Sequence, residues 1–109
     1  GTQFLRHVER CPVLAHLVDL AADSPLEGRV DTIRGELEAH PAPLEARPWV
    51  LVGTKLDAVA DRDAARAELE AVAGDHGVRW GAISAVTGEG VDVMLRLLFD
   101  LTEDVKERA

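Results

Sequence analysis

Thr54-Lys55-Leu56-Asp57 sets a hydroxyl, an ammonium and a carboxylate within four residues, directly after the apolar run Trp49-Val50-Leu51-Val52-Gly53. A carboxylate held at a strand end can accept two parallel N–H bonds from a planar, amidine-like edge, and guanine offers such an edge in its ring N–H and exocyclic amine. An Asp57 in that role selects guanine over adenine, because the wrong base leaves a desolvated carboxylate unpaired at a cost of about 1–3 kcal/mol. Lys55 would lay its methylene stem along the base face and send its ammonium to polar groups beyond. The Thr54 hydroxyl can donate and accept. The chain carries ten arginines but only two lysines, Lys55 and Lys106. A need for a slim, unbranched cation at position 55 accounts for that exception.

A second loop complements the first. Ser84 and Ala85 follow another apolar run, so their backbone N–H groups can point at the same pocket, with the Ala85 N–H suited to the guanine carbonyl oxygen. Each loop also fits a plainer reading. Asp57 can make a local turn bond with Lys55 exposed, and Thr87-Gly88-Glu89-Gly90 can be punctuation before the last helix, with Thr87 or Glu89 near a cap. No Gly-x-x-x-x-Gly-Lys-Ser/Thr phosphate loop occurs in the chain.

The elements that position these loops follow from periodicity. Phe4, Leu5 and Val8 sit at helical spacing, so Gln3 to Arg10 reads as a short helix that stops at Pro12. Val13 to Val18, closed by Asp19, has the length and apolar continuity of a strand covered on both faces, with His16 as a packed histidine. Ala21 to Gly28 reads as a loop, on Ser24-Pro25 and Gly28. Val30, Ile33 and Leu37 mark a helix ended by Pro41 and Pro43, and Trp49 to Val52 is a second buried strand. Asp61 to Ala73 is an alanine-rich helix with Leu69 and Val72 on one face, closed by Gly74 and Gly77. Val78 to Ser84 is the third strand, and Val91 through Val105 an amphipathic last helix. The order αβαβαβα predicts an α/β fold: a three-layer, mainly parallel sheet of about three strands with helices on both faces. Ligands in such sheets bind outside the carboxyl ends of the strands, here the loops Asp19 to Gly28, Gly53 to Asp61 and Ser84 to Gly90.

Composition narrows the function classes. A chain of 109 residues, 47% hydrophobic and 29% charged, has room for one domain with a modest core. Twenty acidic against twelve basic residues give a net charge of −8, without a basic cluster, which disfavours direct nucleic-acid binding. The single cysteine, Cys11, cannot form an internal disulfide and reads as structural. The histidines His7, His16, His40 and His76 are scattered rather than spaced as ligands, so a metal site is not expected. Neither a signal peptide nor a membrane-length apolar stretch is evident, so no membrane contact and a cytoplasmic location are expected.

At these residues the sequence resembles the P-loop GTPases, and within them the Obg family of ribosome-associated GTPases. Gln3-Phe4-Leu5-Arg6-His7-Val8-Glu9-Arg10 is similar to the helix that follows switch II in Obg proteins, and Val13 to Leu20 to the adjoining strand. Glu27-Gly28-Arg29 with Ile33 and Glu36-Leu37 resembles their next loop and helix. Glu45-Ala46-Arg47-Pro48 leads into their Asn-Lys-x-Asp motif, here Thr54-Lys55-Leu56-Asp57. Ile83-Ser84-Ala85-Val86-Thr87-Gly88-Glu89-Gly90 resembles the Obg form of the guanine-contacting Ser-Ala loop. The resemblance implies guanine contacts from Thr54, Lys55, Asp57, Ser84, Ala85 and Val86.

Two departures shape the expectation. Thr54 stands where Obg proteins usually carry Asn; Thr serves there in Rho-type GTPases, at a cost in strength. The phosphate loop, switch I and the Asp-x-x-Gly of switch II, where the family keeps its Mg²⁺ ligands and water-positioning groups, belong upstream of Gly1, so no residue here is carried over as catalytic. Residues 1–109 are thus read as the carboxyl-terminal part of an Obg-type G domain, the guanine-recognition half of a GTPase linked to assembly of the large ribosomal subunit. Weak or absent GTP or GDP binding and no GTP hydrolysis are expected of the chain alone, with Mg²⁺ only in the complete domain. The sheet order of the family also leaves one edge of Val13 to Val18 unpaired, a template for self-association. The alternative is a flavodoxin-like protein-interaction module whose Thr-Lys-Leu-Asp is a fortuitous turn.

Overall fold

The computed structural model describes residues 13–39 and 48–108. The helix expected at Gln3 to Arg10, Cys11, and the helix stop at Pro41 and Pro43 lie outside the described residues. Within them the elements are β1 (Leu14–Asp19), α1 (Leu26–Glu38), β2 (Trp49–Thr54), a 3-10 turn (Leu56–Ala58), α2 (Arg62–His76), β3 (Arg79–Ala82) and α3 (Val91–Arg108). The strands form one parallel sheet in the order β1-β2-β3, with Leu14 opposite Trp49, Asp19 opposite Thr54, and Gly53 opposite Ala82.

β2 is central, and its continuous apolar sequence is what burial on both faces requires. Leu51 packs with Val18, Leu26, Val30, Leu56, Leu69, Val72 and Ala73, which joins α1 and α2 to one face. Val50 and Val52 point the other way onto Met94, with Leu97, Leu98 and Leu101 of α3 around it. The result is the expected three-layer α/β arrangement. Gly53 shows how close the layers come, since a Cβ there would lie 2.6 Å from Leu69 Cδ1 and 2.8 Å from Leu20 Cδ2.

Several boundaries differ from the sequence expectation. Ala21 to Gly28 is not all loop, because α1 begins at Leu26 and takes Gly28 into its first turn. Leu26 and Val30 are fully buried, and that burial, about 1.5–3 kcal/mol for each side chain, outweighs the roughly 1 kcal/mol that glycine costs a helix. Pro25 offers no side-chain cap, and the Leu26 N–H donates instead to Glu68 Oε1 of α2, 3.0 Å away. α2 runs through Gly74 and stops at Gly77, whose left-handed φ of 68° lets its N–H close onto the Gly74 and Ala73 carbonyls. At its start the Asp61 carboxylate accepts the Ala64 N–H at 3.0 Å. β3 is shorter than Val78 to Ser84, since after the Ile83 N–H reaches the Gly53 carbonyl the chain turns to receive the Leu56 N–H. β1 is covered on one face only among the described residues. Leu14, His16 and Val18 are buried whereas Leu17 is 61% exposed, because α3 sits over β2 and leaves its own Leu95 and Phe99 in solvent.

His16 is packed, as expected. Its ring lies 5.6 Å from that of Trp49, which also meets the His76 edge at 5.3 Å and the Arg34 guanidinium at 4.4 Å. Burial first, then the charge of Arg34 and of His76, pushes the His16 imidazole down from 6.5 to about 4. Between those values the unfolded chain binds a proton that the folded chain refuses, so stability is full above pH 6.5 and is lost as pH falls toward 4. We expect a loss of up to about 3 kcal/mol across that window. Urea unfolding of His16→Val at several pH values should show a flatter dependence; an unchanged slope contradicts this assignment.

Candidate functional site

The parallel register brings the carboxyl ends of all three strands to one side of the sheet. At the end of β2 the Thr54 hydroxyl donates to the Val18 carbonyl at 3.2 Å, and the Leu20 N–H returns to the Thr54 carbonyl at 3.0 Å. These bonds tie β1 and β2 together where their loops diverge. Lys55 then adopts the left-handed conformation, φ 62° and ψ 37°, the one non-glycine residue to do so among the described residues. Such backbone outliers persist where neighbouring structure over-determines them and cluster at functional sites. Buried Leu56 follows as the anchor, its N–H on the Ile83 carbonyl at 3.0 Å, and it turns Asp57 outward beside the end of β3.

There Asp57 meets the second motif. The fully buried Ser84 donates its hydroxyl to Asp57 Oδ1 at 2.7 Å and accepts the Thr87 N–H at 3.1 Å. Two loops 27 residues apart thus share a side-chain hydrogen bond, and the second carboxylate oxygen of Asp57 has no partner among the described residues. The backbone of Ser84 corrects the sequence expectation. Its N–H is not aimed at a pocket but donates to the Glu89 carbonyl at 3.0 Å, while its carbonyl accepts the Gly88 N–H at 2.8 Å, closing the loop on itself. Ala85 and Val86 lie at the exposed tip, and their N–H groups take no acceptor among the described residues. Gly90 ends the loop at φ 77°, with the Ala82 carbonyl where a Cβ would stand, so only glycine fits that return into α3.

Sequence reasoning missed Asp19. Its Oδ2 pairs with Lys55 Nζ at 2.9 Å, its Oδ1 accepts the Ala21 N–H at 2.8 Å, and its carbonyl accepts from Arg29 Nη1 at 2.8 Å. The Lys55 ammonium, then the Ala21 N–H, hold the Asp19 carboxyl below the usual carboxylate range. The available signal was positional, since Asp19 closes β1 directly opposite Thr54. Glu89 was read only as a loop or cap residue, yet its carboxylate joins Arg62 and Arg66 of α2.

The site is an open rim of exposed Lys55, Asp57, Ala85 and Val86 around buried Ser84, with Thr54 directed inward. None of the six motif residues lines the cleft of about 550 Å³ between α1 and α2. What the rim can offer a ligand is a carboxylate edge, unpaired backbone donors and the stem of a fixed lysine, a set suited to a planar base with donors on one edge and an acceptor beside them. Among the described residues no three His, Cys, Asp or Glu side chains converge as for a metal ion, and no helix is long and apolar enough to cross a membrane.

Relatives share this chain almost end to end. The GTPase Obg of Aquifex aeolicus is 33% identical over 111 aligned residues, which cover 99% of this chain and 32% of that protein. That of Picosynechococcus sp. is 38% identical over 107, covering 98% and 30%, and that of Thermodesulfovibrio yellowstonii 40% over 100, covering 90% and 29%. The chain is Obg-family sequence. It spans about a third of the length of these Obg relatives. No protein-family model matches it.

The Asp57–Ser84 bond joins the two Obg-like loops, and a double-mutant cycle measures it. Ser84→Ala, Asp57→Ala and the double variant should show a coupling of about 0.5–1.5 kcal/mol in urea unfolding. Additive losses would mean that the bond holds nothing together.

Proposed function

We propose that this chain supplies the guanine-recognition part of a GTP-binding, Obg-type G domain. The observation that carries the reading is the hydrogen bond from Ser84 to Asp57, which joins a carboxylate to the loop whose Ala85 and Val86 N–H groups take no acceptor among the described residues. Asp57 takes the ring N–H and exocyclic amine of guanine, Ala85 donates to its carbonyl oxygen, and Lys55, steadied by Asp19, lines the base face with its stem. Thr54 supports the rim through β1, and Val86 borders the base at the loop tip. The longer protein in this proposal is a cytoplasmic GTPase acting in assembly of the large ribosomal subunit, with Mg²⁺ at the phosphates of the complete domain. No step of hydrolysis is assigned to residues of this chain.

A further proposal concerns β1, which has one hydrogen-bonded neighbour among the described residues and carries the exposed Leu17. An apolar strand with an open edge pairs with other strands, so the chain alone self-associates through the edge of Val13 to Val18 or is only marginally stable.

Both readings are measurable. With this sequence in place of the matching residues of the Aquifex aeolicus GTPase Obg, Asp57→Asn should weaken GDP about tenfold to hundredfold and favour xanthosine diphosphate, whose carbonyl replaces the amine and accepts from an amide. An unchanged ratio of the two affinities removes Asp57 from the site. Sedimentation of the chain alone should show association that rises with concentration and is suppressed by Leu17→Lys, a charge on the strand edge; a strict monomer at high concentration counts against pairing.

A further inference from the structure

Beside the favourable Asp61 and Asp63, the amino end of α2 carries two arginines that its own helix disfavours. Arg62 is the first residue of α2, where the helix dipole favours acids, and Arg66 stands four residues on, where like charges repel. Both guanidinium groups converge on one carboxylate: Arg62 Nη2 pairs with Glu89 Oε1, and Arg66 Nη2 lies 3.7 Å from Glu89 Oε2. All three side chains are roughly half exposed, and such pairs contribute little to global stability. Their effect is therefore on position.

Glu89 is well placed to transmit it. Its carbonyl receives the Ser84 N–H at 3.0 Å, and its N–H donates to Thr87 Oγ1 at 3.2 Å. Ser84 in turn holds Asp57 through its hydroxyl and the Thr87 N–H through the same oxygen. Hence the side chain of Glu89 anchors to α2 the loop whose Ser84 hydroxyl holds Asp57 and whose tip carries the Ala85 N–H. We propose that Glu89, with Arg62 and Arg66, is a positioning residue for base recognition, setting where the Ala85 N–H stands relative to Asp57. The proposal rests on the guanine reading and adds a determinant beyond the six residues given contacts to the base.

Glu89→Gln tests it, because the variant keeps the size and backbone of residue 89 and removes only the charge. In the chain alone, amide exchange at Ser84, Thr87 and Gly88 should quicken about threefold to tenfold while the amides of Leu51 and Val52 stay as they were. The reversed set Glu89→Arg with Arg62→Glu and Arg66→Glu should restore slow exchange. In the Aquifex aeolicus chimaera, GDP should be preferred to its 6-thio analogue, which keeps the edge facing Asp57 but replaces the carbonyl oxygen with a poorer acceptor. Glu89→Gln should shrink that preference severalfold with an unchanged melting temperature, and the reversed set should recover it. Unchanged loop exchange, or an intact preference in Glu89→Gln, overturns the positioning role. A parent chimaera without guanine preference, despite the expected exchange, overturns the guanine reading and the role built on it, and leaves the loop anchor as structure alone.

Discussion

Burial of β2 on both faces is the constraint from which the rest follows. Leu51 must meet the α1 and α2 side and Val50 with Val52 the α3 side, so the strand can neither slip by one residue nor move to an edge. Its register with β1 and β3 is then fixed, and with it the side of the sheet from which all three carboxyl-end loops emerge. Gly53 belongs to the same constraint, since a side chain just before the turn would have to displace the methyl ends of Leu69 and Leu20.

Around that centre the loops are held by bonds between elements. Thr54 reaches β1, Leu56 reaches the end of β3, Ser84 reaches Asp57, and Glu89 reaches α2. Each hydrogen bond is modest, about 0.5–1.5 kcal/mol net, and the half-exposed ion pair contributes less, but they act on few residues. They fix the left-handed turn at Lys55 and the closed ring from Ser84 to Glu89, and so hold the donors and acceptors of the rim in one arrangement.

The balance of coverage differs across the sheet. The α1 and α2 side is well filled, and Trp49 closes its lower end against His16, Arg34 and His76. On the other side α3 serves β2 and β3, while Leu17 of β1 and the Leu95 and Phe99 flank of α3 remain in solvent. Among the described residues one face of β1 is therefore open.

Local chemistry in the sequence was enough for much of this. The apolar continuity of Trp49 to Val52 marked a strand buried on both faces, alternation of elements gave the parallel α/β sheet, and Thr54-Lys55-Leu56-Asp57 with Ile83-Ser84-Ala85 marked the two loops and the Obg resemblance. Helix ends were less legible, because Gly28 and Gly74 carry the same local signal as Gly77, and only the burial of Leu26, Val30 and Val72 keeps the first two helical. Tertiary structure alone decided which groups meet. The pairing of Asp19 with Lys55 and of Glu89 with Arg62 joins residues dozens of positions apart, and the engagement of the Ser84 N–H by Glu89 depends on how one loop closes. Residue type fixes what a side chain can donate or accept, but the partner it finds is set by the register of the strands and the packing of helices upon them.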